Sequence, residues 1–162
     1  MKDTITLPLD DILKHASPES LTRELLARAR TSAPIAPTPR IGANWPAGGI
    51  YAGLVRGVDG GPDAHLIVHD EAKAEITHSD ALKWAEQLAT DERYTWGLPT
   101  RAECAVLFGN VPELFDKENY WSCPQYAGDG AYAWCQSFYH GLQYGNLKTI
   151  QLRARAVRRS AI

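Results

Sequence analysis

The sequence predicts an α+β domain, and three observations lead to that class. Two capped helical segments fall between residues 79 and 110, short strand-like runs follow them, and the chain never alternates strand and helix regularly. The chain has 162 residues, enough for one ordinary domain with a short appendage. Its hydrophobic fraction of 44% is that of a packed globular core. Five Trp and seven Tyr crowd toward the second half, and such residues, apolar in body and polar at the tip, suit half-buried positions and contact surfaces.

The elements follow in order. Ser17-Pro18-Glu19 reads as a helix start, and Leu21, Leu25 and Ala29 follow at helical spacing. The spaced prolines of Ser32–Pro39 then favour an extended connector, so residues 1–39 are expected to form a helical arm and residues 40–162 the domain. Ile50–Arg56 reads as a strand, Asp59–Asp63 as a turn, and Ala64–Val68 as the partner strand. A helix capped by Ser79 places Ala81, Trp84, Ala85 and Leu88 on one face. Thr100-Arg101-Ala102-Glu103 has capping-box spacing, and its helix is expected to run to about Phe108 and end at Gly109 or Asn110. Strands are expected at Tyr120–Cys123, Ala131–Phe138 and Leu152–Val157. In the last, Leu152, Ala154 and Ala156 alternate with Arg153 and Arg155, as in a half-buried strand.

Composition narrows the function classes. Seventeen basic and nineteen acidic residues leave a net charge of −2, so no global field favours nucleic acid or an anionic membrane. Locally, Cys135 to Ile162 carry no acid, while Lys148, Arg153, Arg155, Arg158 and Arg159 are basic. The arginines are expected to form a solvated strand face, paired with carboxylates such as Glu103 or Asp116. Cys104, Cys123 and Cys135 lack metal-type spacing and read as reduced thiols, with a Cys123–Cys135 bridge as the alternative. No signal-peptide-like run or apolar span is present, so synthesis in the cytoplasm is expected, and no membrane partner.

Enzyme signatures are missing: there is no Gly-x-Ser-x-Gly elbow, His-Glu-x-x-His pair or phosphate loop. His65, His69 and His78, with Asp63, Asp70 and Glu71, match no familiar ligand set. A non-enzymatic protein is therefore expected, with no catalytic residue, no cofactor and no metal. Trp96, Trp121 and Trp134 sit in core-like contexts, whereas Trp45 precedes the loop-like Pro46-Ala47-Gly48-Gly49.

Four blocks carry a family resemblance: Gly97-Leu98-Pro99-Thr100-Arg101-Ala102-Glu103, Tyr120-Trp121-Ser122, Ala133-Trp134, and Leu152 through Arg159. In this order and spacing they resemble the DUF1566 family, over roughly residues 40–160. The resemblance implies a C-type-lectin-like domain, two helices packed on short twisted antiparallel sheets, of a kind frequent in bacteria and their phages. The calcium-dependent sugar motifs Glu-Pro-Asn and Trp-Asn-Asp are absent. Cys123 and Cys135 do not match the cysteine pair of the formylglycine-generating enzymes, so neither activity carries over.

Phe138 to Arg153 further resembles the variable region of proteins diversified by retroelements, in which template adenines are rewritten. The resemblance implies an unaltered frame of Phe138, Gly141, Gln143, Lys148 and Leu152 onward. It implies altered, ligand-binding positions at Tyr139, His140, Leu142, Tyr144, Gly145, Asn146, Leu147, Thr149 and Ile150. The residues themselves point the same way, because they mix aromatic, aliphatic and polar types with no period of a buried face. Tyr and Asn are also what binding loops favour. The expectation is a phage- or prophage-encoded protein that binds a protein or cell-surface ligand, with docking to a phage structural protein through the N-terminal arm, incorporation into a virion, and self-association as further partner options. The alternatives are a structural tail-fibre or assembly protein and, third, a nucleic-acid binder using the C-terminal arginines.

Overall fold

Strand dominates the architecture. A computed structural model describes residues 37–57, 60–88 and 95–162. The expected arm helix, most of its proline connector and Asp59 of the expected turn lie outside the described residues. Within the unit Pro39–Ile162, the elements are β1 (Ile50–Val55), β2 (Ala64–Ile76), α1 (His78–Gln87), α2 (Arg101–Asn110), a 3-10 turn (Pro112–Leu114), β3 (Asn119–Gln125), β4 (Tyr132–Ser137), β5 (Gln143–Leu147) and β6 (Leu152–Ala161).

The expected C-type-lectin-like arrangement, two helices packed on short twisted antiparallel sheets, is corrected. The strands join into one six-stranded sheet in the order β1-β2-β6-β3-β4-β5. Strand β6 is the reason. It pairs antiparallel with β2 along most of its length, from Ala64↔Ala161 to Ile76↔Leu152. Its other edge meets β3 in parallel at Tyr120↔Arg153, so the sheet is mixed. Length contributes as well. β2 continues eight residues past the expected Val68 through a polar, exposed run to Ile76, and β6 continues to Ala161.

Apolar residues pack on both faces of this sheet. Consecutive strand residues point to opposite faces, and Tyr120 and Trp121 accordingly enter different clusters. Tyr120 joins Leu66, Val68, Leu107, Phe115, Phe138 and Val157. Trp121 joins Ala81, Ala85, Ala133, Cys135, Ala154 and Ala156 on the α1 side. The Trp121 indole is fully buried, and its Nε1–H donates to the Ile76 carbonyl at 2.9 Å, so burial leaves no orphan donor.

Local chemistry sets both helices. In α2 the box closes as its spacing requires: Glu103 N–H donates to Thr100 Oγ1 at 3.2 Å and Thr100 N–H donates to Glu103 Oε2 at 2.8 Å. The helix continues through Asn110, past the expected stop at Phe108. In α1 the cap is Thr77 rather than Ser79. Thr77 is extended (φ −70°, ψ 160°) and its hydroxyl accepts from Asp80 N–H, so the helix begins at His78.

The arginine face is corrected in part. Arg153 pairs with Asp116 at 2.8 Å near solvent, and Arg159 reaches from the surface to the buried Glu103 at 2.6 Å. Arg155 and Arg158 are buried. Arg155 donates to the carbonyls of His69, Leu114 and Asp70, and Arg158 Nη2 donates to those of Ala47 and Gly48 at 2.9 Å each. At these two positions of β6 the guanidinium groups are covered, and backbone carbonyls accept from them in place of water.

Candidate functional site

The segment from Phe138 to Gln151 contains the turn after β4, strand β5 and the turn into β6. Its anchors are few and specific. Phe138 is buried and stacks on Phe115, with ring centroids 3.8 Å apart and planes 5° apart. Ser137 N–H donates to the Leu142 carbonyl and Gly141 N–H to the Ser137 carbonyl, closing a tight turn. That turn requires a left-handed residue, and Gly141 has φ +75° at a place where an added Cβ would meet the Phe108 ring at 2.8 Å. Gln143 ties the start of β5 to α2. Its amide donates to the Arg101 carbonyl at 2.7 Å and to Gln136 Oε1 at 2.9 Å, while its Oε1 accepts from Arg101 Nε at 3.0 Å. The Arg101 guanidinium in turn lies 3.6 Å from the Trp134 ring centroid. Lys148 closes the far end. Its ammonium donates to Gln125 Oε1 at 2.8 Å and the Gly130 carbonyl at 2.7 Å, and its own carbonyl accepts from His78 N–H.

Between these anchors the side chains reach solvent. Tyr139 is 60% exposed and Leu142 62%, and Tyr144, Leu147 and Ile150 are exposed large hydrophobics as well. His140 and Thr149 are also exposed. The Tyr139 and His140 rings meet edge to face, 4.2 Å apart, at the tip of the turn. Tyr144 hydroxyl donates to Asn119 Oδ1 at 2.8 Å, and burial of part of the ring raises its phenol pKa above the ordinary value. Two of the nine expected contact residues turn inward instead. Asn146 is half-buried and donates from Nδ2 to Cys135 Sγ at 3.2 Å. Gly145 lies beneath the Tyr126 ring, where an added Cβ meets Cδ2 at 3.0 Å.

Tyr139, His140 and Tyr144 line a groove of about 520 Å³ together with Glu75, Lys117 and Asn119. Glu75 is the only non-glycine residue with positive φ (52°) among the described residues. It sits where the β2–β6 register breaks between Lys73 and Ile76. Sequence reasoning missed Glu75, Lys117 and Asn119, because they come from β2, from the approach to β3 and from its first residue, far in sequence from residues 138–151.

The remaining candidate groups have structural partners. His65 Nδ1 lies 3.2 Å from Tyr51 Oη, and its ring packs on Trp45. His69 packs edge to face on Trp96. His78 is buried with Nε2 3.0 Å from the Ser122 carbonyl, and burial, reinforced by Lys148, holds its imidazole below the ordinary range. The three cysteines are free thiols, with Cys104 and Cys135 buried, and burial pushes all three pKa values up. Among the described residues, no three His, Cys, Asp or Glu side chains gather as a metal site. No helix among them is long and apolar enough to cross a membrane.

Comparison with protein-family models and with curated proteins found no match to this chain.

Proposed function

We propose that this protein binds a ligand through residues 139–150 and that these form an exchangeable contact surface, as in the variable protein of a retroelement-diversified phage or prophage system. One observation supports this most. Phe138, Gly141, Gln143 and Lys148, the positions with the character of a fixed frame, are those tied into the scaffold by stacking, backbone conformation and hydrogen bonds. Tyr139, His140, Leu142, Tyr144, Leu147, Thr149 and Ile150 stand between them and are exposed. Exposed substitutions away from caps and packed contacts change stability by about 0.5 kcal/mol or less. The surface can therefore vary while the sheet persists. Tyrosines supply contact area at low entropic cost, and the groove beside Tyr139 and Tyr144 offers the concavity in which aromatic hot spots gain most.

The test compares two libraries of the full chain by protease resistance. One randomises Tyr139, Leu142, Tyr144, Leu147 and Ile150, and the other Phe138, Gly141, Gln143 and Lys148. Most members of the first are expected to stay resistant and most of the second to be cleaved; equal losses refute an exchangeable surface. Diversification itself predicts a nearby reverse-transcriptase gene and a near-copy of the DNA for residues 125–159 that differs at adenines.

A further inference from the structure

We infer that the outer edge of β5 captures an extended peptide segment of a partner protein by strand addition, with the main chain of Gln143, Gly145 and Leu147 supplying the hydrogen bonds. This rests on reading residues 139–150 as the contact surface and adds the class of ligand. Among the described residues β5 is the last strand of the sheet, and one of its edges is paired there. In the β4–β5 ladder, Ser137 N–H donates to the Leu142 carbonyl at 2.8 Å and Lys148 N–H donates to the Ala131 carbonyl at 2.9 Å. The register between those bonds is unbroken, from Gln136↔Gln143 to Tyr132↔Leu147. Antiparallel ladders alternate bonded and non-bonded pairs. Tyr144 and Asn146 therefore turn their backbone groups toward β4, and Gln143, Gly145 and Leu147 turn theirs outward. The Leu147 carbonyl accepts from Ile150 N–H within the following turn. What remains is the N–H groups of all three residues and the carbonyls of Gln143 and Gly145, repeating at about 6.8 Å.

That alternation of donor and acceptor matches a polypeptide backbone. The opposite edge of the sheet lacks it, because the chain itself covers β1: Gly42 N–H donates to the Tyr51 carbonyl, Tyr51 N–H to that of Ala43, and Asn110 Nδ2 to that of Ala52. Natural edges are guarded by charge, proline or a bulge. The run Gln143-Tyr144-Gly145-Asn146-Leu147 has no charge and no proline, and its pairing has no register break. Lys148, the nearest cation in sequence, is turned away onto Gln125 and Gly130, and Arg101 is held by the Gln143 side chain and the Trp134 ring. Gly145 at the middle lets another backbone approach closely. Side chains of an added strand alternate, meeting Tyr144 on one face and Leu147 on the other. Main-chain bonds give affinity whatever those two residues are, which suits a surface whose side chains are exchanged.

The experiment uses the full chain and peptides selected on it from a displayed library of random linear sequences. Each peptide is then N-methylated one residue at a time, and amide hydrogen exchange is followed in the protein. The expected result is a loss of about tenfold or more at every second peptide position. Exchange at Gly145 and Leu147 should slow on binding, while Tyr144 and Asn146 are slow beforehand. Peptides that depend on Tyr139, Leu142 and Tyr144 yet tolerate N-methylation everywhere overturn strand addition and leave the contact surface standing. Peptides indifferent both to those three residues and to N-methylation at every position overturn both, and a library that yields no binder overturns strand addition. Protection of Gly145 and Leu147 in the free protein also overturns it. If that protection grows with protein concentration the occupant is a second copy, and if it does not, another part of this chain.

Discussion

Replacing Gly141 with alanine tests whether the turn that presents Tyr139 and His140 is built as described. Gly141 has φ +75°, and an L-residue there costs about 1–2 kcal/mol. An ideal Cβ would lie 2.8 Å from Phe108 Cε1 and 2.9 Å from Cζ, closer than non-bonded carbons tolerate. Phe108 is half-buried and can give way by rotating, so the packing cost lies at the lower end of the about 1–3 kcal/mol typical of overpacking. Alanine also restricts the unfolded chain, which returns about 0.4–1 kcal/mol. The net loss is about 2 kcal/mol. For a domain of this size that is a fall in Tm of about 8 °C. Thermal unfolding followed by circular dichroism measures it, with Leu142→Ala as the control; that neighbour is 62% exposed and should shift Tm by no more than about 2 °C. If Gly141→Ala melts within 2 °C of the parent, the turn does not need a left-handed residue packed on Phe108, and the account of how the tip is mounted is wrong.

Glu103→Ala removes the acceptor of Thr100 N–H and the partner of Arg159; urea titration should show about 2 kcal/mol lost, since a cap bond and a buried charge contact go together. His78 stays neutral in the fold at pH values where the unfolded chain would protonate it. Its contribution is therefore whole above about pH 6.5 and is lost as the pH falls below that value. His78→Asn should flatten the decline in Tm between pH 7 and 5, and an unchanged slope would show that other groups cause it. Cys104 and Cys135 should resist a thiol reagent at neutral pH until denaturant is added, because both are buried with thiol pKa values pushed up.

Sequence patterns were legible where a local interaction decides the structure. The Thr100–Glu103 box needs only three residues of spacing and an extended cap, and it appears in the structure as expected. β1 begins at Ile50 as expected, because its short apolar run is bounded by Gly48-Gly49 and buries Tyr51, Ala52 and Gly53 in succession. Strand β5 was read as irregular, and the reason lies in its position. An edge strand with a groove on one face and a ring over its glycine has no uniform environment to impose a period of two. The far half of β2 escaped notice because Asp70 to Glu75 are exposed and polar, and only pairing with β6 makes them a strand. The single mixed sheet was not legible at all. It depends on β6 joining β2 to β3, a contact between residues distant in the chain for which no short motif exists. The buried Arg155 and Arg158 follow from the same fact. Alternation with alanine looks identical on a surface strand and on a central one whose guanidinium groups reach carbonyls.

The central place of β6 bears on how the protein comes off the ribosome. Every other strand precedes it in the sequence, yet it fills the gap between β2 and β3. While it is still in the exit tunnel, the emerged chain holds two incomplete half-sheets, each with a raw edge. Closure by such distant pairing is slow and leaves those edges open to misassembly. The contact segment is translated just before β6 and is tied mainly to β4 and α2. On the proposed function, a side chain altered there would meet a ligand only after the insertion that completes the sheet, which would separate assembly from recognition.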